Sequence, residues 1–400
     1  MQRFDAIVLG AGAAGLFCAG VAGQRGLRVL LIDHAEKLAE KIRISGGGRC
    51  NFTNREVGPA NFLSDNPDFC RSALARYTPH DFIALMRRHR IAWHEKHKGQ
   101  LFCDESAEDV IAMLVRECEA GGVQRWQPCR VAAVRQATGG GFELDTDRGA
   151  VGAARLVVAT GGLSIPKIGA SDFGHRLARQ FGHRVVEPRP ALVPLTFEPA
   201  AWAGFVPLAG VALPARVAAG AARSAVRFDE DLLFTHRGLS GPAMLQISSY
   251  WRPGEPVEID LMPGGDLRAC LREAKQVSKR RLVNELAQHL PARLAEAWCA
   301  ANELGTRPVA ELKDRELDAL AAGLHRWTVR PSGSEGWRKA EVTAGGVDTR
   351  ELGSQDFQSR RVPGLHFIGE VLDVCGWLGG YNFQWAWASA HACATGLSPG

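Results

Sequence analysis

The ten cysteines of this 400-residue chain never fall into a C-x-x-C pair. Without such pairs the sequence writes neither a zinc ribbon nor a dithiol redox centre, and no metal site is expected. Cysteines scattered from Cys18 to Cys393 are no disulfide framework in a chain of this length. No basic leader with a cleavage site stands before the first apolar run, so the expected compartment is the cytoplasm. Any excess of one sign of charge is also small. A formal net charge of +5, with no basic stripe, argues against a dedicated nucleic-acid binder. The expected partner is therefore a small-molecule substrate, with no nucleic acid and no membrane; nothing in the sequence speaks to oligomeric state. Internal repeats and low-complexity tracts are absent. One uncharged run, Ala6 to Gly23, is about as long as a membrane-spanning helix, but glycines at 10, 12, 15, 20 and 23 dilute it, and its texture changes at Gly10 from β-rich to alanine-rich.

What is present is an ordinary globular composition, 46% hydrophobic and 23% charged, enough for at least one large core. Phe4 to Leu9 is a short apolar run ending at glycine, Ala13 to Gln24 is helix-like, and Arg28 to Ile32 is a second apolar run closing on Asp33. Together they read as a βαβ unit. Helical patterns follow at 69–90 and at 106–120, where Ser106 and Asp109 form a capping-box-like start. Strand texture then takes over, with Val131 to Val134 and Phe142 to Thr146 flanking a glycine turn and Leu156 to Ala159 as a buried run. The chain divides at 188/189 into a β-rich insert reaching 265, with a short helix starting at Ser240. A charged helical insert spans 266–338, and strand texture returns from 339 before a last helix at about Asn382 to Thr395. The densest basic cluster, Lys275 to Arg281, reads as a solvated helix face.

Chemistry begins at Gly10-Ala11-Gly12-Ala13-Ala14-Gly15, which follows a strand, opens a helix and is answered by Asp33 at the end of the next strand. Gly10 permits the tight turn, Gly12 lets backbone approach a pyrophosphate, and Gly15 lets helix and strand pack closely. The N–H groups at the helix start, at Ala13 and Ala14, face the anion, and Asp33 accepts from the adenosine ribose with His34 beside it. This fingerprint does not choose between NAD and FAD. The next segment does. Lys41 and the loop Ser45-Gly46-Gly47-Gly48-Arg49-Cys50-Asn51-Phe52-Thr53-Asn54 offer glycines that let backbone approach a planar ligand, and Arg49, Asn51 and Asn54 offer donors for phosphates or ring carbonyls. A flavin needs such donors.

These residues resemble the Lys-x-x-x-Ser-Gly-Gly-Gly-Arg-Cys-Asn-x-Thr-Asn signature of the BaiN/YhiN-type, aminoacetone-oxidase-like NAD(P)/FAD-dependent oxidoreductases of bacteria. Three further segments are similar to that family: Val158-Ala159-Thr160-Gly161-Gly162; Phe234-Thr235-His236 through Gly238-Leu239-Ser240-Gly241-Pro242; and Gly369-Glu370-Val371-Leu372-Asp373 through Gly379-Gly380-Tyr381-Asn382. The resemblance implies an α/β fold. A discontinuous Rossmann-like FAD-binding domain is interrupted by a β-barrel-like and helical module, and Val131, Lys41, Gly47, Gly48 and Cys50 join the cofactor site. Gly345 and Gly346 approach the flavin in that family. Between Asp373 and Gly379 this chain departs from the family's acidic turn, with Val374-Cys375-Gly376-Trp377-Leu378, and so marks a distinct subgroup.

On its own terms, the last helix would direct its positive end at the flavin's pyrimidine side, and Asp373 would accept from ribityl hydroxyls. Tyr381, Phe383, Trp385 and Trp387 read as core rather than cofactor wall. His236 is the candidate catalytic residue, because imidazole can donate or accept a proton during hydride transfer. Cys50 lacks the nearby second cysteine of a disulfide reductase. No second G-x-G-x-x-G occurs, so NAD(P)H is expected only as a transient electron donor. The expected activity is FAD-dependent reduction of an unsaturated or carbonyl-conjugated small molecule through flavin N5. The alternatives are an oxygen-using amine oxidase and, in another class, a non-catalytic FAD-binding sensor whose insert meets a partner protein or RNA through Lys275 to Arg281.

Overall fold

The computed structural model describes residues 1–220 and 225–398. The chain falls into two compact units, one formed by Met1–Arg189 with Val342–Gly400 and the other by Pro190–Glu341.

The first unit is built on a seven-stranded sheet. Strand β1 (Gln2–Leu9) runs parallel to β2 (Val29–Ile32) on one side and to the long strand Gly149–Val158 on the other. Gln124–Trp126 continues the parallel set beyond β2, and Leu365–Phe367, from near the other end of the chain, pairs in parallel with Leu156–Val158. The first half of the long strand instead carries an antiparallel hairpin, Val131–Gln136 and Phe142–Thr146. Ala6–Leu9 and Val29–Ile32 are buried residue after residue, the pattern of strands covered on both faces. Helix α1 (Ala13–Gln24) covers one face, so the uncharged run splits at its glycines into strand, turn and helix. No helix among the described residues is long and apolar enough to cross a membrane.

Helix α1 is buried nearly all round because Ala107–Ala120 and the C-terminal helix Tyr381–Gly396 both pack on it. A Cβ on Gly23 would stand 2.5 Å from the Gly121 carbonyl oxygen, so this helix approach requires the missing side chain. The helical pattern at 69–90 resolves into two helices, Arg71–Arg76 and Pro79–Arg88. The break falls at Thr78, whose N–H and hydroxyl both donate to Asp81 Oδ2 at 2.7 Å, with Pro79 at the first helical position. Ser106 caps the next helix by accepting from the Glu108 N–H at 3.1 Å.

The aromatic run of the C-terminal helix is core. Trp385 and Trp387 are buried, their indole N–H groups donate to the carbonyls of Gly369 (3.1 Å) and Phe52 (2.8 Å), and Trp387 stacks on Phe82. Because those partners come from the first quarter of the sequence and from near its end, the helix fastens the glycine-rich loop region to the turn at Gly369.

The second unit carries a seven-stranded sheet in the order Trp327–Val329, Val257–Asp260, Ala212–Ala219, Val226–Phe234, Gly238–Ser240, Leu195–Thr196 and Gly333–Ser334, antiparallel throughout. Alternation along Ala212–Ala219 turns Leu213, Ala215, Val217 and Ala219 inward. Helix Gly241–Ser248 starts directly after Ser240. Helices Leu267–Val277, Leu282–Leu286, Ala292–Ala301 and Asp314–His325 follow. Two strands of the sheet lie beyond these helices in sequence, so the β-rich and helical stretches build a single unit.

Candidate active site

The parallel strands of the first unit end together, and the turns that follow them are knitted to one another. The Gly10 N–H donates to Ile32 O (2.8 Å), Ala159 N–H to Leu9 O (2.8 Å), Asp33 N–H to Trp126 O (3.1 Å) and Ile368 N–H to Val158 O (3.0 Å). Carboxyl ends of parallel strands are where open α/β sheets bind ligands. Here the glycines of the fingerprint separate by role. Gly10 has φ +104°, and a Cβ there would lie 2.4 Å from Ala159 O; a Cβ on Gly15 would lie 1.7 Å from Gly10 O. Both are packing requirements. A Cβ on Gly12 would meet nothing within 4 Å, so the space before the α1 N-terminus at Ala13 and Ala14 is open. Asp33 faces the same turn: its Oδ2 accepts from the Ala11 N–H at 2.6 Å and its Oδ1 from the Ala35 N–H at 2.8 Å.

Beside this turn lies a cavity of about 260 Å³ lined by Gly10, Asp33, His34, Val131, Thr160 and Phe173, among others. The His34 ring reaches Gly169 O at 3.0 Å and so ties the cavity to the loop before the helix Phe173–Gln180. Thr160 Oγ1 is buried and has no hydrogen-bond partner among the described residues. A hydroxyl left without a partner in such a place marks a group that a ligand can satisfy.

A second cluster joins four distant segments. Lys41 Nζ, on the short helix Glu40–Ile44, donates to Glu370 Oε2 at 2.5 Å and to Ser164 Oγ at 2.7 Å. Glu370 Oε1 accepts from the Thr343 N–H at 2.9 Å, and Thr343 Oγ1 accepts from the Leu163 N–H at 2.8 Å. Gly161 faces open space, whereas a Cβ on Gly162 would stand 2.2 Å from Thr343 Oγ1. Gly345 and Gly346 continue the Thr343 strand and press against the carbonyls of Glu187 and Val371. Ser164 carries no motif and was not legible as a site residue; only its pairing with Lys41 and Glu370 reveals it.

The glycine-rich loop and the C-terminal helix meet through amide latches. Gly46, Gly47 and Gly48 are left-handed in succession, and Gly47 borders open space. Arg49 is exposed. Asn54 was expected to offer donors to the ligand, but its Nδ2 donates to Lys98 O and Gly379 O, both at 3.0 Å. Asn51 sets its amide nitrogen 3.1 Å from the carbonyls of Leu101 and Thr53 and its oxygen 3.2 Å from the Gly380 N–H. Asn382 clasps the departing turn: it accepts from the Gly376 N–H (2.8 Å) and donates to Gly376 O (2.9 Å) and Trp377 O (3.2 Å). These amides shape the loop and the helix start at Gly380 and Tyr381 rather than offer free donors. Cys50 is wholly buried, and burial pushes its thiol far above the ordinary range, so its side chain is no nucleophile and only its backbone borders the loop. Asp373 accepts from the Asp65 N–H at 2.8 Å, yet burial still raises its carboxyl above the usual aspartate range. Cys375 is likewise pushed up to about 12 by burial.

The two ends of the chain converge on one site. A Cβ on Gly369 would lie 2.9 Å from Ala14 Cβ, and the Gly369 N–H donates to Ser389 Oγ at 3.1 Å on the C-terminal helix. His236 belongs to the other unit. It is exposed in the turn between Val226–Phe234 and Gly238–Ser240, where the Thr235 N–H donates to Gly238 O at 2.8 Å.

The open face at Gly12, the carboxylate of Asp33, the cavity and the unpaired Thr160 hydroxyl fit the adenosine diphosphate half of FAD. The Lys41 cluster ties the segments at Ser164 and Glu370 together, and the C-terminal helix is tied to Gly369 beside them. Fold and site together define an FAD-dependent oxidoreductase of Rossmann type. Specifically, the chain belongs to the HI0933-like family, whose Rossmann domain it matches over residues 4–396. It is 54% identical over 398 residues to a protein of Escherichia coli named ribosomal RNA dihydrouridine synthase, covering 99% of this chain and 98% of that one. The Haemophilus influenzae protein of the same name is 46% identical over 401 residues, 99% of each chain. At greater distance, a Clostridium scindens protein named 3-dehydro-bile acid delta(4,6)-reductase is 28% identical over 410 residues, 96% of each.

Proposed function

We propose that this protein reduces the C5=C6 bond of uridine in ribosomal RNA to give dihydrouridine, with NAD(P)H as the electron donor. The observation that carries this reading is the end-to-end match to relatives bearing that name, 54% and 46% identical, with both halves of the FAD site inside the matched length. Chemistry supports it. The uracil C5=C6 bond is conjugated to the C4 carbonyl, which is the carbonyl-conjugated acceptor expected from the sequence, and the name of the more distant relative also describes reduction of an unsaturated bond. An RNA-borne acceptor departs from the charge-based expectation of a small-molecule substrate without nucleic acid.

When bound, FAD supplies hydride transfer from the nicotinamide donor to the acceptor carbon. The chain's own residues do the rest. Gly12 and the first N–H groups of α1 hold the pyrophosphate, and Asp33 orients the adenosine ribose. Lys41, paired with Glu370 and held by Ser164, would set the local polarity, and the positive end of the C-terminal helix would favour negative charge on a reduced ring. Asp373 would accept from the ribityl hydroxyls. Saturating the bond also takes one proton, and His236 is the side chain to test first as its source.

Incubating the holoenzyme with ribosomal RNA and NADH or NADPH, then digesting the RNA to nucleosides for mass spectrometry, tests the reading. A uridine gaining the mass of two hydrogens is the expected result; no gain with either donor overturns it.

A further inference from the structure

Resting on the reading that RNA is the substrate, we infer that the loop between helices Leu267–Val277 and Leu282–Leu286 is an RNA-anchoring site, with Lys279, Arg280 and Arg281 seated on phosphates. The three consecutive cations are exposed. Their side chains make no ion pair or hydrogen bond among the described residues. Lys275, at the start of the same basic cluster, is by contrast neutralised by Asp314 at 2.5 Å. Of the flanking carboxylates, Glu316 is held by Arg307 at 2.8 Å, and Glu285 accepts from Ser278 Oγ at 2.6 Å. The positive charge of residues 279–281 is thus left for something outside the chain.

The backbone that presents these side chains is fixed. The Arg280 N–H donates to Ser278 Oγ at 3.1 Å, Arg280 O accepts from the Val309 N–H at 2.9 Å, and the Leu282 N–H donates to Arg307 O at 3.0 Å. An ordered frame lowers the entropy lost on docking. Two guanidinium groups side by side suit the forked acceptors of successive phosphates. Val277, 80% exposed at the head of the loop, adds an apolar face of the kind a ribose or base can cover. A long solvated helix face would interleave its cations with carboxylates and leave no such uncompensated triplet.

The test compares wild-type holoenzyme with a Lys279→Gln/Arg280→Gln/Arg281→Gln variant, using a ribosomal RNA transcript titrated at several salt concentrations. Neutralising three phosphates contributes about 2–3 to the slope of log affinity against log salt. The variant is expected to lose that much slope, so that wild type sheds about 20- to 40-fold more affinity than the variant between 50 and 200 mM salt. FAD content and NAD(P)H-driven bleaching of the flavin should stay unchanged, which also shows that the variant folds. Arg280→Gln alone should remove about one third of the effect. Equal affinity and slope in wild type and triple variant overturn the inference. Should wild type bind RNA through these residues yet form no dihydrouridine, the anchoring site stands and the proposed reaction falls.

Discussion

Gly12→Val separates the fold from cofactor binding more sharply than any other change in the fingerprint. Gly12 is the N-cap of α1 with φ −83° and ψ −164°, a conformation open to any residue, and a Cβ there meets no protein atom within 4 Å. The apoprotein should therefore lose only capping preference, about 1 kcal/mol, and melt within about 4 °C of wild type. The cofactor should lose far more, because the valine occupies the space the pyrophosphate needs. Two charge-assisted hydrogen bonds at about 1.5–3 kcal/mol each amount to about 3–6 kcal/mol, or an affinity lowered about 10²- to 10⁴-fold. Gly15→Ala reverses the pattern: its Cβ would stand 1.7 Å from Gly10 O, so helix or turn must move and the fold itself suffers, by about 1–3 kcal/mol or more. Absorbance of the purified proteins and melting of the apo forms read both quantities. A yellow, fully loaded Gly12→Val protein would refute the assignment, and so would a Gly12→Val apoprotein that melts as low as Gly15→Ala.

Lys41→Met should leave the half-buried Glu370 carboxylate without its cation and lower stability by about 1–2 kcal/mol; a double-mutant cycle with Glu370→Gln should return a coupling of similar size. Asp373 titrates higher in the folded protein than in the unfolded chain, so its contribution is full in acid, below the unfolded value, and is lost as pH rises through the folded value. Asp373→Asn should accordingly stabilise the apoprotein at neutral pH, with the advantage vanishing in acid, while weakening FAD; denaturant melts across pH check the first part and flavin titration the second. His236→Ala should keep its FAD and stay within about 0.5 kcal/mol of wild-type stability, since the side chain is exposed. Its turnover on RNA should fall if this imidazole delivers the proton, and an unchanged rate returns the residue to the surface.

The nucleotide end of the site was legible because its chemistry is local. Gly10 to Gly15 and Asp33 lie within one βαβ unit, and the strand, turn and helix that give them meaning are written in consecutive residues. The ring end was only half legible. Lys41 and Glu370 stand 329 positions apart, and no periodicity signals that Leu365–Phe367 pairs with the same strand that leads into Ser164. Donor-bearing side chains were visible as residue types, yet Asn54 turns to the carbonyls of Lys98 and Gly379 and Asn382 to the backbone of Gly376 and Trp377, because the buried polar groups of these turns need partners. Gly20 and Gly23 read as dilution of an apolar run, whereas they are the surface on which Ala107–Ala120 comes close. The helix break at Thr78 was likewise hidden by helical patterning that continues on both sides of it.

In the proposed reaction the reduced flavoprotein passes its hydride to a uracil ring. Holoenzyme reduced anaerobically with a single equivalent of NAD(P)H and mixed with ribosomal RNA in a stopped-flow cell, with the RNA recovered for nucleoside analysis, measures that event in one turnover. The flavin band should return, and dihydrouridine should appear in equal amount. A flavin that stays reduced in the presence of RNA, or that reoxidises without altering any uridine, contradicts the account.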